Sequence, residues 1–153
     1  MSDASKTKDH WPCFTCAVRD ASFCGALLGQ HSAEDRVRTR PGWQDFRVAR
    51  PSEGICARGE DSEHIFVLCE GWAFRFVQLS DGRRQILRFL LAGDLFSAVS
   101  LFAERFHFSV QALTQARFAR FRRKDVRERL AANAALSTAL ATSCIAEDIA
   151  AGN

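Results

Sequence analysis

The sequence predicts an α+β domain in which short strands come first and helices follow. Three observations carry this. Between Phe46 and Phe121 the chain breaks into short apolar or alternating runs separated by turn residues, with Asp81-Gly82 the strongest hairpin signal. After Phe121 the composition becomes helical and Ala-rich. The whole is 153 residues, 47% hydrophobic and 25% charged, which suits one domain with a core of its own. Strands in such number imply a sandwich or roll.

Each element has its own reason. Residues 1–10 are polar and read as a disordered tail, and 11–25 have too little periodicity for an assignment. Gln30 to Arg40 predicts a short helix, capped by Ser32, with Glu34 and Asp35 in its first turn and Pro41-Gly42 ending it. Strands are expected at Phe46 to Ala49, Gly54 to Ala57, His64 to Cys69, Trp72 to Leu79 and Arg84 to Leu91. Glu70-Gly71 turns the third of these, and Ala92-Gly93-Asp94 breaks the fifth. Phe106 to Leu113 alternates, with Phe106, Phe108, Val110 and Ala112 on one face and His107, Ser109 and Gln111 on the other. Ala116 to Phe121 is the last strand. Phe74, Phe76, Phe89, Phe106, Phe108, Phe118 and Phe121 are expected in the core. Arg123 to Leu130 predicts a helix with Val126 and Leu130 on one face. A second runs from about Asn133 to Ala151, with Leu136, Leu140 and Cys144 at i, i+4, i+8. An Ala-rich helix is marginal without a partner, so that stripe is expected to be a dimer seam.

Charge and composition exclude several classes. The net charge is +3, Lys occurs only at 6, 8 and 124, and acids are interleaved with Arg, which does not announce a nucleic-acid surface. The run Arg120 to Lys124 reads as the solvated start of a helix. The first ten residues lack the apolar segment of a secretory signal. No run approaches the ~18 apolar residues of a membrane span. The expectation is a cytoplasmic chain with reduced cysteines and no membrane partner. No paired carboxylates, Ser/His/Asp set, Cys/His pair or phosphate-cradling glycine loop can be argued, so the chain is read as a sensor and not an enzyme.

Three of the six cysteines, Cys13, Cys16 and Cys24, fall in a C-x2-C-x7-C pattern. Thiolates so clustered begin a zinc or iron–sulfur site, because sulfur is the preferred ligand of both. The competing reading is three thiols on a frayed tail, and a redox-active C-x-x-C is a third. His10 could complete a zinc site or be a solvated tail residue. No fourth clustered cysteine follows, so a closed site needs a ligand from the folded body. Cys56, Cys69 and Cys144 read most simply as small core residues.

The roll residues carry a resemblance. Gly54 to Asp61, Ile65 to Gly71, Ser80 to Ile86, Leu91 to Phe96 and Gln111 to Leu113 resemble the cyclic-nucleotide-binding β-roll of the Crp/Fnr transcription regulators. The cysteine pattern ahead of it resembles the Fnr-like, oxygen-responsive branch. The resemblance implies a double-stranded β-helix, or jelly roll, followed by a dimerisation helix. It divides the chain into a cysteine-bearing segment at 1–30, a β-roll sensor domain at 31–122 and terminal helices at 123–153. It also implies an iron–sulfur cluster of the 4Fe–4S type, with zinc as the alternative, and a homodimer through the last helix. DNA would be bound only through a helix-turn-helix domain that these residues do not contain.

Two departures qualify it. Nucleotide-binding members hold the cyclic phosphate with an Arg-Ser or Arg-Thr pair, and the matching pair here is Phe108-Ser109. Phe108 offers a buried phosphate no charge. Asp94 matches an acidic residue that takes the ribose hydroxyl. The fourth cluster cysteine of the Fnr branch matches Ala119, so Cys69, on the strand expected beside Ala119, is ranked first as replacement ligand. The preferred reading is the sensor half of a Crp/Fnr-type regulator responding to oxygen or redox state. The alternatives are a cyclic-nucleotide module with unusual contacts, and a zinc-binding or degenerate interaction domain.

Overall fold

The computed structural model describes residues 43–97 and 99–131, together with 134, 137, 138 and 141. The expected helix at Gln30 to Arg40, Cys13, Cys16, Cys24, His10 and the Leu136/Leu140/Cys144 stripe lie outside the described residues.

Among the described residues seven strands form two antiparallel sheets. Strands β1 (Trp43–Ala49), β7 (Ala116–Arg122) and β3 (His64–Glu70) form the first, in the order β1-β7-β3. Strands β2 (Gly54–Cys56), β6 (Ser109–Ala112), β4 (Ala73–Gln78) and β5 (Arg84–Leu90) form the second, in the order β2-β6-β4-β5. A single 3-10 turn, Val99–Leu101, precedes β6, and helix α1 (Arg123–Ala131) follows β7 directly. The architecture is the expected jelly roll with a helix behind it.

The run Ile65-Phe66-Val67-Leu68 is buried throughout because β3 is covered on both faces. Phe66 and Leu68 point into the roll with Phe96, Phe106 and Phe118. The Phe66 ring lies 5.3 Å from that of Phe96 and 5.6 Å, edge-on, from that of Phe118, separations at which aromatic pairs attract beyond simple burial. Ile65 and Val67 point the other way, into a second cluster with Leu95, Leu101, Ala119, Phe121 and Val126. That outer cluster seats α1 on the sheet. The free edge of β3 is covered by the segment after β5: Leu68 N–H donates to the Asp94 carbonyl at 2.9 Å, and Phe96 N–H to the Phe66 carbonyl at 2.9 Å.

Turn chemistry explains the connections. Gly82 has φ +87°, as the β4–β5 hairpin requires, and its N–H donates to the Leu79 carbonyl at 2.9 Å. Gly71 has φ +86°, and a Cβ there would run into the Gln115 carbonyl and stand 2.9 Å from Ala116 Cα. Glycine is thus required between β3 and β4 on two counts.

Two expectations are corrected. Phe89 is not in the core: it is 50% exposed, since it pairs with Phe74 on the face turned away from the inner cluster, while Leu90, opposite Ala73, is the buried residue of that strand end. The strand expected from Phe106 to Leu113 is shorter, at Ser109–Ala112. Phe106 instead exchanges backbone hydrogen bonds with the 59–60 turn, accepting from Gly59 N–H and donating to the Glu60 carbonyl.

Candidate functional site

The inside of the roll contains a cavity of about 170 Å³ lined by Arg75, Leu87, Ser97, Ser100, Arg105, His107 and neighbours that include Phe108. Arg75 is there because β4 alternates: Ala73 and Val77 face the inner cluster, and Arg75 lies between them on the same face. It is only 7% exposed. Its Nη1 donates to the Phe96 carbonyl at 3.0 Å, and its guanidinium sits 5.1 Å from the centroid of the Phe108 ring. Ser97 and Ser100 are buried, and Ser100 Oγ donates to the Ser97 carbonyl at 2.6 Å. Arg105 and His107 are exposed and stand at the mouth, with Arg105 Nη1 donating to the Gly59 carbonyl at 2.8 Å. Among the described residues that line the cavity none is acidic.

Of the three residues matched to nucleotide contacts, the structure brings only Phe108 to the cavity. Ser109 is turned away, its Oγ accepting from Arg58 N–H at 3.0 Å. Asp94 does not line it. Its carboxylate closes its own turn, Oδ2 accepting from Leu91 N–H at 2.9 Å, with Arg88 Nη2 3.8 Å from Oδ1. The sequence reading missed Arg75. The signal was present in Ala73-Phe74-Arg75-Phe76-Val77, where a cation occupies the small-residue face of an alternating strand.

The sequence profile of the cyclic nucleotide-binding domain matches residues 46–133, more than half of the chain and all of this roll but the first three residues of β1. The chain belongs to the cyclic nucleotide-binding domain family. The transcriptional activatory protein AadR of Rhodopseudomonas palustris is 32% identical over 99 residues. That match covers 64% of this chain and 38% of AadR, so the chain spans well under half the length of that relative. FixK2 from Bradyrhizobium japonicum superimposes with a TM-score of 0.64 at 22% identity, over 72% of this chain and 54% of FixK2. The catabolite activator protein of Thermus thermophilus does so with a TM-score of 0.63 at 19% identity, over 76% of this chain and 55% of that protein. At such identities the structures establish the fold.

In this cyclic nucleotide-binding domain the two described cysteines have opposite environments. Cys56 on β2 is 6% exposed and packed in the inner cluster. Burial, reinforced by the nearby Glu60 carboxylate, pushes its thiol up to about 12. It does not fit a metal ligand, which must be a thiolate. Cys69 lies at the end of β3, where the pairing with β7 slips between Leu68 and Glu70. It is half-buried at the margin of the outer cluster, and its Sγ lies 3.7 Å from the Val67 carbonyl. Val67 is directly opposite Ala119, and Phe46 of β1 flanks Ala119 on its other side. The strands that carry Cys69 and Ala119 are neighbours, as expected, and the two residues share the outer face of the sheet. Cys69 fits a single donor reaching outward from the roll. Among the described residues no three His, Cys, Asp or Glu side chains converge as a metal site.

Proposed function

We propose that this chain is the sensory portion of a Crp/Fnr-type transcription regulator, with Cys13, Cys16, Cys24 and Cys69 holding an iron–sulfur cluster responsive to oxygen or redox state. The observation that carries the reading is the outer cluster. Cys69, Val126 and Leu130 pack against the same buried residues, Ala119 and Phe121 among them. A ligand bond at Cys69 would act on the surface that seats α1, and a two-state packing there is what a sensor needs to pass a local event to a helix. Arg123 adds a polar latch at the helix start. Its Nη1 donates to Ser62 Oγ at 2.8 Å and to the Ala103 carbonyl, and its backbone N–H donates to the Glu63 carbonyl at 2.8 Å. Bound at these cysteines, the cluster would supply an oxygen-labile iron centre. The chain's own part is to hold it against the β3–β7 face. Homodimerisation through the helix after β7, DNA binding through a separate domain and a cytoplasmic setting belong to the same proposal. It agrees with the absence, among the described residues, of a helix long and apolar enough to cross a membrane.

The test is iron and sulfide content after anaerobic reconstitution of single Ser variants. Loss is expected in Cys13→Ser, Cys16→Ser, Cys24→Ser and Cys69→Ser, and retention in Cys56→Ser and Cys144→Ser. A colourless wild-type protein loaded with zinc instead would select the zinc alternative. Full iron retention in Cys69→Ser would remove that residue from the ligand set.

A further inference from the structure

On the outer face of the first sheet, Arg117 stands across the β3–β7 ladder from Cys69. The pairing slips there: Leu68 is opposite Phe118 and Glu70 opposite Arg117, so Cys69 and Glu70 together oppose the single residue Arg117. Ala119, the position matched to the fourth cluster cysteine, is two residues further along β7 and on the same face. The Arg117 guanidinium is fixed from two sides. Its Nη2 donates to Glu70 Oε1 at 2.9 Å, and its central carbon lies 5.3 Å from the centroid of the Phe46 ring on β1. Its Nε is different. That atom is buried and has no hydrogen-bond partner among the described residues. A buried N–H of a charged group left unpaired costs free energy, and in a native fold such an atom marks a functional place whose acceptor has still to arrive.

We propose that Arg117 is a positioning residue of the cysteine site, its Nε–H donating to a sulfur of the cysteine-held cluster and its charge setting how firmly that cluster holds an electron. This role rests on the reading of Cys69 as a cluster ligand and adds the group that tunes it. Thiolate ligands bring negative charge, and hydrogen bonds to the sulfurs together with nearby charges set the reduction potential of such a centre. A fixed cation with an N–H donor favours the reduced, more negative state. Glu70 opposes this, but its side chain is 69% exposed and screened by water, whereas that of Arg117 is 22% exposed. The net effect beside Cys69 is therefore that of the cation. Holding the electron more firmly raises the threshold at which an oxidant acts on the site.

The test uses the full 153-residue chain, reconstituted anaerobically with iron and sulfide. Iron and sulfide content are measured first. The one-electron midpoint potential follows, by dye-mediated titration with dithionite read by visible absorbance and electron paramagnetic resonance. Arg117→Met keeps the length of the side chain and removes its charge and donors. It should load iron as the wild type does, with a midpoint potential lower by about 59 mV, which is about a tenfold change in a one-electron reduction equilibrium. A merely structural role would change loading or stability and leave the potential in place. If Arg117→Met does not fold or does not load, Arg117→Lys decides. It keeps the charge and loses the planar Nε–H, and should shift that equilibrium about threefold in the same direction. Equal potentials in the wild type and in whichever variant decides, with iron content intact, overturn the role of Arg117 and leave the cluster reading standing. A wild-type chain that takes up no iron overturns both.

Discussion

At the residue scale, environment decides what each reactive side chain does. Cys56 and Cys69 are both strand cysteines, but the thiol of Cys56 is pushed up to about 12 by burial while Cys69 is only partly buried. Iodoacetamide at pH 8, followed by mass spectrometry of the native chain, should label Cys69 at least tenfold faster than Cys56. Equal rates would mean that the inner cluster opens readily. Asp45 on β1 shows the opposite case, a charge held by partners. Arg120 Nε and Nη2 donate to its two oxygens at 2.6 and 2.7 Å, and Arg47 adds a third contact at 3.3 Å. The Arg120 hydrogen bonds hold its carboxyl below the ordinary 3.8, against the opposing effect of burial. A depressed folded-state pKa stabilises above the unfolded value and loses that contribution as pH falls through the folded one. Asp45→Asn should therefore cost about 1 kcal/mol at neutral pH, with the gap to wild type closing in urea titrations as the pH falls below the ordinary 3.8 and through the depressed folded-state value. A gap that stays constant down to pH 2 would show that the ion pair contributes nothing.

At the scale of elements, two turns and one helix contact carry specific costs. Gly71 and Gly82 have nearly the same positive φ, +86° and +87°, but different surroundings. A Cβ at Gly82 meets nothing within 4 Å, so Gly82→Ala should cost only the left-handed penalty, about 1 kcal/mol. Gly71→Ala adds a collision with backbone at Gln115 and Ala116 and should cost at least about 2 kcal/mol more than that. Urea midpoints measure both, and equal costs would contradict the close approach at β7. Helix α1 is seated through Val126, which is fully buried in the outer cluster. Val126→Ala should lose about 2 kcal/mol and raise hydrogen exchange in α1 more than in β4. Uniform exchange across both elements would mean that α1 does not open separately from the roll.

Across the whole molecule, the cavity inside the roll is small, and the Phe108 ring in its wall faces the Arg75 guanidinium at 5.1 Å. Calorimetric titration with cyclic AMP and cyclic GMP is expected to show no saturable heat. Micromolar binding of either would require Phe108 and Arg75 to move apart and would revise the reading of this cavity. Family membership gives the architecture and does not by itself give the ligand.

Much of that architecture is legible in the sequence. Strand order, the Asp81-Gly82 hairpin, the glycine turn at Gly71 and the change to helix after Phe121 all rest on local chemistry: positive φ, period-2 alternation and helix composition. The face shared by Phe106, Phe108, Val110 and Ala112 also follows from alternation, and all four are buried in the inner cluster. Other features depend on which distant strand lies alongside. Alternation in β4 separates Arg75 from Phe74 and Phe76, but only the packing of β6, β5 and the 93–97 segment makes Arg75 the inward one. Phe89 is exposed and its neighbour Leu90 buried because only the Leu90 face of β5 meets the inner cluster, which nothing within β5 records. Asp94 is taken up by a turn three residues long before any ligand could reach it. The sequence by itself determined the order of elements, their turns and the family, because those depend on contacts between near neighbours. Tertiary packing set which side of each strand faced the interior, and with it the environments of Arg75, Cys56 and Cys69, because a sheet face acquires its meaning only from the layer that packs against it.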